Sequence, residues 1–297
     1  MAQGSGLSFF PCALRPIPLP RLRKAMEAIY LRLMTECRRI AARHKTPEFY
    51  RLFQPALAAS RRLFFHHPLV AHCRELVRPH LVDDFGHGLH HASKVSLDAG
   101  AIVLVEGERY VPVPGELERA VVLVQLAGLL HDIKRAEADH ASAGAAAARR
   151  FLRDFPLSTT EVAAISDAIA NHEAFSEAPL CETVIAQLMV NALYDADKFR
   201  WGPDNFTHTV WFMMSYRKLA IDEVIGKFPS GVSGIQRVKE TFRTTLGRQY
   251  GPEFIDLGVQ IGKEIFQYLQ RHVNELKGEA GGSGVEVFSP EVEREGG

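Results

Sequence analysis

Apolar residues recur at helical spacing along most of this chain. Ala25, Ile29, Leu33 and Cys37 lie four positions apart, so a helix that starts near residue 21 carries one apolar stripe. By the same criterion, helices are predicted over 47–65, 68–82, 116–130, 139–155, 158–172, 182–200, 204–219, 235–250 and 252–276. The pattern therefore predicts an all-α protein.

A further helix is predicted to begin near His87, after the break at 83–86. Its inward face would carry His91 and the apolar residues four, eight and eleven positions later. The neighbouring His90 is rotated onto the face that carries a lysine, so His91 is the better candidate for an inward ligand. The segment 103–114 is the only credible strand-like stretch, and a small hairpin or an irregular insertion both fit it.

The ends of the chain differ in composition from its middle. Residues 1–20 contain four prolines and are expected to form an extended arm. Residues 277–297 are rich in glycine and glutamate, a composition typical of a disordered tail. Between them, 21–276 is expected to form a single helical domain. Within it, Ser158 and Glu161 have the spacing of a capping box at the start of a helix.

Composition and charge exclude several classes of function. The chain has 297 residues, of which 46% are hydrophobic, and its 35 basic residues balance its 35 acidic residues. A zero net charge gives no global case for binding nucleic acid or an anionic membrane. The most apolar run, 121–130, is about half the roughly 20 residues that a membrane span requires. No secretory signal is recognised and no CxxC pair occurs among the four cysteines, so a cytoplasmic protein with free thiols is expected.

Widely separated histidines and aspartates suggest a metal site. His131 and Asp132 follow an apolar helix, where a charged carboxylate is costly unless it is paired, hydrogen-bonded or bound to metal. His91 lies on the inward face of an earlier predicted helix, and a later helix ends near Asp195 and Asp197. Periodicity alone does not choose between these two aspartates. Converging imidazoles and carboxylates are the ligands that first-row divalent ions accept.

Basic residues flank these blocks. Lys134 and Arg135 follow the first doublet, and Lys198 and Arg200 follow the last aspartate. Their charges could neutralise a phosphoryl group, and Lys198 is the best candidate because its position is fixed beside Asp197. A solvated surface charge is the simpler explanation for each of them.

Three blocks in order resemble the HD superfamily of metal-dependent phosphohydrolases. They are HGLHHASKV at 87–95, LLHDIK at 129–134 and DADK at 195–198, and together with their flanks they span about 83–201. The resemblance implies an HD-like helical core with additional helices on both sides. It also implies that Asp197 binds the metal with His91, His131 and Asp132, whereas Asp195 and Lys198 face the substrate.

Some members of that superfamily hold two metal ions. DHASAGA at 139–145 and IANH at 169–172 resemble the blocks that supply their two extra histidines. The resemblance then implies a second ion held by His140, His172 and a bridging Asp132. Only eight residues separate Asp132 from His140, which is shorter than in many two-metal members, and a solvated helix start is an equal interpretation of His140.

The expected activity is hydrolysis of a nucleotide or another small phosphate ester by metal-activated water. Asp132, His87 and Asp195 are the candidates for catalysis, and Lys134, Arg135, Lys198 and Arg200 for substrate binding. One or two divalent ions are expected, with Mn, Fe, Mg, Ni and Co all acceptable to such ligands. Two alternatives remain: a di-iron oxygenase of the same superfamily, and a non-catalytic nucleotide-binding signalling module. The sequence does not specify the oligomeric state.

Overall fold

The structure, a computed structural model, describes residues 28–81, 86–111, 113–177 and 179–281. In chain order, its α-helices are α1 (Ala28–Ala41), α2 (Glu48–Leu52), α3 (Gln54–His66), α4 (Pro68–Val77), α5 (Leu89–Gly107), α6 (Pro114–Leu130), α7 (His140–Phe151), α8 (Thr159–Ala170), α9 (Val184–Phe199), α10 (Val210–Tyr216), α11 (Ile221–Gln236) and α12 (Thr245–Gly281). No strand occurs within these ranges, which confirms the all-α class.

Helices α5 and α6 form the centre of the bundle. Every residue of α6 from 120 to 130 is buried, as expected for a helix that is apolar on all sides. α5 packs along α6 and α9 and also contacts α3. The contact is close because Gly128 lies against Ser96, where an added Cβ atom would meet the Ser96 Cα atom at 2.8 Å. This close approach holds the start of α5 beside the end of α6.

Two outer layers cover this centre. α7 and α8 pair with each other, and α8 packs on α6 and α9. The capping box predicted from the sequence is present at the start of α8, where the backbone N–H of Glu161 donates to Ser158 Oγ at 3.2 Å. On the other side, α11 packs against α12, and α12 packs against α1 and α9. The first residue of α7 and several residues of α10 and α11 line one and the same cavity.

The predicted hairpin at 103–114 is wrong for the residues described there. Residues 103–107 are the last five residues of α5, and α6 begins at Pro114. A run of valine, isoleucine and leucine satisfies a buried helix as well as a strand, and this helix is buried on several sides. The region 47–65 also differs, because α2 and α3 divide it at Phe53.

The C-terminal half departs most from the predicted boundaries. α11 covers 221–236, where a helix was predicted only from residue 235 onward, and α12 runs through Pro252, where a break was predicted. A proline inside a helix costs about 3 kcal/mol. Phe254 and Ile255, which follow it, are buried, and each such side chain contributes about 1.5–3 kcal/mol, so packing outweighs the lost hydrogen bond.

The predicted arm at 1–20 lies outside the described residues, as does the predicted tail beyond residue 281. Residues 277–281 belong to α12. A search of the described helices for a membrane-spanning segment, long and apolar enough to cross a bilayer, finds none.

Candidate metal centre

Four buried side chains from three helices converge where α5 begins and α6 and α9 end. His91 lies in the first turn of α5, His131 and Asp132 directly follow α6, and Asp197 lies in the last turn of α9. Their exposed fractions are 5%, 0%, 5% and 6%. The sequence is right to prefer His91 over His90, because the side chain of His90 is exposed.

The spacing of the four side chains is that of ligands around one cation. His91 Nε2 lies 3.2 Å from His131 Nε2 and 3.1 Å from Asp197 Oδ1, and His131 Nε2 lies 3.2 Å from Asp132 Oδ2. The two longer pairs are 3.7 Å, between His91 and Asp132, and 3.8 Å, between His131 and Asp197. Two ligands about 2.1 Å from an ion lie about 3.0 Å apart at a right angle and about 3.4 Å apart in a tetrahedron. The buried cluster could therefore hold a divalent metal ion.

Hydrogen bonds fix the histidine tautomers in the form that binds metal. His131 Nδ1 donates to the carbonyl oxygen of Gly128 at 2.7 Å, and His172 Nδ1 donates to that of Ile169 at 2.6 Å. Because a carbonyl only accepts, the lone pair of each neutral ring lies on Nε2, which faces the cluster. Nitrogen lone pairs that face carboxylate oxygens in a dry site need a cation or a proton between them.

Lys198 orients the last ligand. Its ammonium group is buried and donates to Asp197 Oδ2 at 2.6 Å and to the carbonyl oxygen of His172 at 2.7 Å. The other carboxylate oxygen, Oδ1, is therefore directed toward His91. Lys198 lines the cavity beside the cluster, but its donors are used to position Asp197 and the end of α8.

Burial and neighbouring charge set the ionisation of the cluster. Burial lowers the pKa of His91 to about 4, so the ring is neutral near pH 7. Burial opposes ionisation of Asp132 and Asp197, but His131 and Lys198 respectively hold the pKa of these carboxyls well below the usual range. Burial also opposes charging of His131, yet Asp132 outweighs it and raises the pKa of that ring. A proton and a metal ion therefore compete for His131 Nε2.

A second group of candidate ligands faces the opposite oxygen of Asp132. Asp132 Oδ1 is buried and makes no hydrogen bond; it lies 3.5 Å from His172 Nε2 and 3.8 Å from His140 Nε2. His140 Nδ1 lies 2.9 Å from a carboxylate oxygen of Glu173, a contact that leaves its Nε2 facing the cluster. Arg135 Nη1, however, lies 2.7 Å from this same Nε2 atom. Asp132, His140 and His172 thus converge as a second group, but the guanidinium of Arg135 contacts His140.

Three members of the cluster, His91, Asp132 and Asp197, line a cavity of about 570 Å³ and are called its floor; His131 is fully buried and does not line it. His87 also lines it, with Nδ1 2.8 Å from Asp132 Oδ2, and belongs to one of the groups that could hold an ion. Three exposed cations, Arg135, Arg217 and Lys227, line the same cavity. The structure therefore brings His87 and Arg135, two residues that the sequence suggested for chemistry, beside the predicted ligands.

Three other predicted residues have different partners. Asp195 is buried away from the cavity, and its two carboxylate oxygens accept the backbone N–H groups of Arg243 and Thr244 at 2.8 Å and 2.7 Å. It therefore holds the segment that leads into α12, and burial raises its pKa to about 6. Lys134 does not line the cavity and pairs with Glu137 at 2.8 Å.

Arg200 lines the cavity, but its guanidinium is already paired. It donates to Asp98, Asp204 and the hydroxyl of Tyr50, and it is buried. Lys94 completes this network, with Nζ 2.6 Å from Asp204 Oδ1. The network joins α2, α5 and α9 behind the floor, so Arg200 is placed to support the site rather than to bind substrate.

Sequence reasoning missed Glu173, Arg217 and Lys227. The position of Glu173 directly after His172 was the one available signal, since carboxylates commonly orient ligating histidines. Arg217 and Lys227 carried no signal, because nothing in the sequence brings 217–227 to the cluster. Comparison of the chain with protein-family models, with curated proteins and with solved structures finds no match. Function must therefore be inferred from the residues of the site.

Proposed function

We propose that this chain is a metal-dependent phosphohydrolase that acts on a small phosphate ester. One observation carries the proposal: His91, His131, Asp132 and Asp197 converge beside an open cavity, and their ligand atoms lie 3.1–3.8 Å apart in the five pairs that include a histidine, as around one divalent ion. The resemblance of the three sequence blocks to the HD superfamily supports the same activity.

The donor set suits hydrolytic chemistry. A divalent ion held there would lower the pKa of a bound water and polarise a phosphoryl oxygen. Two nitrogen and two oxygen ligands accept Mn, Fe, Mg, Ni or Co, so the ligands alone do not select the ion. The chain contributes fixed ligand orientation, through Lys198 on Asp197 and through Gly128 on His131.

Cationic side chains would bind the phosphoryl group. Arg135, Arg217 and Lys227 line the cavity and are exposed, so they can reach a ligand without leaving a buried partner. His87 is the candidate for proton transfer, because its ring lines the cavity and is 18% exposed while Nδ1 contacts Asp132. In this proposal Asp132 orients His87 as well as binding the ion.

Metal content and turnover test the proposal. Protein stripped with EDTA and reloaded with each candidate ion is assayed on p-nitrophenyl phosphate, bis(p-nitrophenyl) phosphate and a nucleotide panel. We expect one tightly bound ion and metal-dependent release of phosphate or alcohol. His91→Gln should lose both, whereas His90→Gln, a change at the adjacent exposed histidine, should keep both. A folded, metal-loaded protein that hydrolyses none of these esters would contradict the proposal.

A di-iron oxygenase is the second candidate, and the buried Oδ1 atom of Asp132 favours it. This oxygen faces His172 and His140 as a bridging carboxylate would face a second ion. The contact of Arg135 with His140 argues against two ions in the arrangement observed. Two iron atoms per chain with a mixed-valent EPR signal and substrate-dependent oxygen consumption would establish this alternative.

A further inference from the structure

The cavity has a polar floor and an apolar wall. The floor is His91, Asp132 and Asp197, as defined above. The wall consists of side chains without nitrogen or oxygen atoms, contributed by α10, α11 and the residues between them. Its members, called the apolar wall below, are Val210, Met213, Met214, Leu219, Phe228, Val232 and Ile235. A cavity of about 570 Å³ thus combines a charged floor with a largely apolar wall, and Arg217 and Lys227, from the same stretch of chain as the wall, also line it.

The apolar wall discriminates between kinds of substrate. The backbone groups of α10 and α11 bond largely within their own helices, and the seven side chains of the apolar wall have no nitrogen or oxygen atom to offer a nucleobase or a sugar. The polar side chains that this stretch adds to the lining are Arg217 and Lys227, whose charges suit an anion. A polar group buried there would lose its hydrogen bonds to water without replacement. An alkyl group loses nothing by the same transfer, and each buried methylene strengthens binding by about fourfold at most. Met213 and Met214 add adaptable side chains that fit chains of irregular shape.

The backbone before α10 is itself unusual. Asn205–Thr209 forms a π-helical turn, and such turns are frequent at functional sites because they widen the helix. Three of its residues, Asn205, Phe206 and Thr209, line the same cavity as the floor and the apolar wall. The turn therefore contributes directly to the shape of the site.

The volume and the charges are consistent with one ligand that contacts both the floor and the apolar wall. Pockets for drug-sized molecules are about 300–1,000 Å³, and this cavity lies within that range. A phosphate alone would fill a small part of it and leave the apolar wall uncovered. Arg135, Arg217 and Lys227 supply positive charge for the anionic end of a larger ligand.

We propose that the substrate is an amphipathic phosphate ester, whose phosphoryl group lies at the cluster and whose alkyl or other apolar group lies along the apolar wall. This inference rests on the proposed phosphohydrolase function for the phosphoryl end only. The apolar end is argued from the cavity itself and can be tested without any turnover.

Binding of n-alkylphosphonates tests the inference, because a phosphonate is not hydrolysed. Calorimetry on the Mn²⁺-loaded chain would compare methyl-, butyl-, hexyl- and octylphosphonate with a nucleoside 5′-phosphonate. We expect the affinity to rise by about two- to fourfold per methylene until the wall is covered. Equal affinity across the alkyl series, or tighter binding of the nucleoside than of the octyl compound, would overturn the inference.

Two glycines of α11 provide a matched pair of variants. Gly231 lines the cavity, and a Cβ atom added there would meet nothing within 4 Å, so Gly231→Leu adds an apolar side chain at the lining whose Cβ atom meets no clash. Gly234 has the same open surroundings but does not line the cavity. We expect Gly231→Leu to weaken octylphosphonate at least tenfold and leave methylphosphonate unchanged, and Gly234→Leu to change neither. Equal effects of the two variants on octylphosphonate would contradict the inference.

The two proposals fail in different ways. If affinity rises with chain length but no phosphate ester is hydrolysed, the phosphohydrolase proposal fails and the amphipathic ligand stands. If short esters are hydrolysed and chain length has no effect on binding, the function stands and the amphipathic substrate is refuted.

Discussion

Asp195 and Asp197, two residues apart on α9, have different roles. Replacing each of them by asparagine should distinguish these roles. Asp197 faces the cluster and contacts His91, whereas Asp195 accepts the backbone N–H groups of Arg243 and Thr244. Asp195→Asn should therefore reduce stability and keep the ion. Asp197→Asn should lose the ion.

The cost of Asp195→Asn follows from its two hydrogen bonds. An asparagine keeps one acceptor, while its NH₂ group turns toward the other backbone N–H. Losing a hydrogen bond to a charged group costs about 1.5–3 kcal/mol, and an unpaired buried N–H costs about 1–3 kcal/mol more. Burial raises the pKa of Asp195 to about 6, which means that burying its charge is unfavourable. A neutral amide avoids that cost and therefore offsets part of the lost stability. We expect a net loss of about 3 kcal/mol, which lowers Tm by roughly 6–12 °C.

Urea unfolding in EDTA measures the stability, and inductively coupled plasma mass spectrometry measures the ion. Asp197→Asn also leaves the buried ammonium of Lys198 without its carboxylate, which costs about 3–5 kcal/mol, so both variants are destabilised. The ion content distinguishes them: we expect Asp195→Asn to bind Mn²⁺ like the wild type and Asp197→Asn to bind it at least 100-fold more weakly. If Asp195→Asn loses the ion and Asp197→Asn retains it, the geometric assignment of the two residues is refuted.

Three further changes give separate results. Arg135→Ala removes the guanidinium that contacts His140 Nε2, so the bound ion count should rise from about one to about two per chain; an unchanged count would argue against a second ion position. Despite burial, two neighbouring cations lower the pKa of Asp204 to about 2, so its stabilising effect is present above about pH 4 and lost as the pH falls toward 2. The difference in free energy of unfolding between wild type and Asp204→Asn should therefore shrink from about 2 kcal/mol at pH 6 as urea titrations approach pH 3. Gly128→Ala should force α5 and α6 apart, cost about 1–3 kcal/mol and weaken the ion, whereas Gly115→Ala in the open first turn of α6 should do neither.

The convergence of the candidate ligands of the cluster could be predicted because their signals are local. His91 lies on the buried face of a helix and His90 on the exposed face, a difference that a period of 3.6 residues already contains. The apolar run of α6 places His131 and Asp132 at a buried helix end for the same reason. Short-range periodicity therefore gives the orientation of a side chain relative to the core.

The partners of these residues could not be predicted, because they come from distant parts of the chain. The role of Asp195 depends on backbone N–H groups 48 and 49 residues later, and that of Arg200 depends on Asp98, 102 residues earlier. The DADK block at 195–198 does not itself indicate which of its two aspartates would bind backbone N–H groups from a distant segment. Only the packing of α12 against α9 assigns Asp195 to structure.

The helix α11 escaped prediction because its composition argues against a helix. Gly226, Pro229, Gly231 and Gly234 lie within sixteen residues, and each lowers helix propensity by about 1–3 kcal/mol. Burial of Val224, Phe228, Val232 and Ile235 on one face offsets this cost. Tertiary packing, which a single segment does not reveal, therefore decides its structure.

The same dependence on packing separates the two halves of the cavity. Residues of the floor can be recognised in the sequence by their chemistry. Val232 and Met213, by contrast, look like any core residue in the sequence, and only the three-dimensional structure shows that they line a cavity. α11 packs mainly against α12, whereas the ligands come from α5, α6 and α9 and their ends. Side chains on α11 can therefore change the shape of the apolar wall without moving the metal ligands, because the two sets are supported by different contacts. The reaction would then be determined by the floor and the choice of substrate by α11, which is why Gly231→Leu should alter binding of long chains and leave the ion in place.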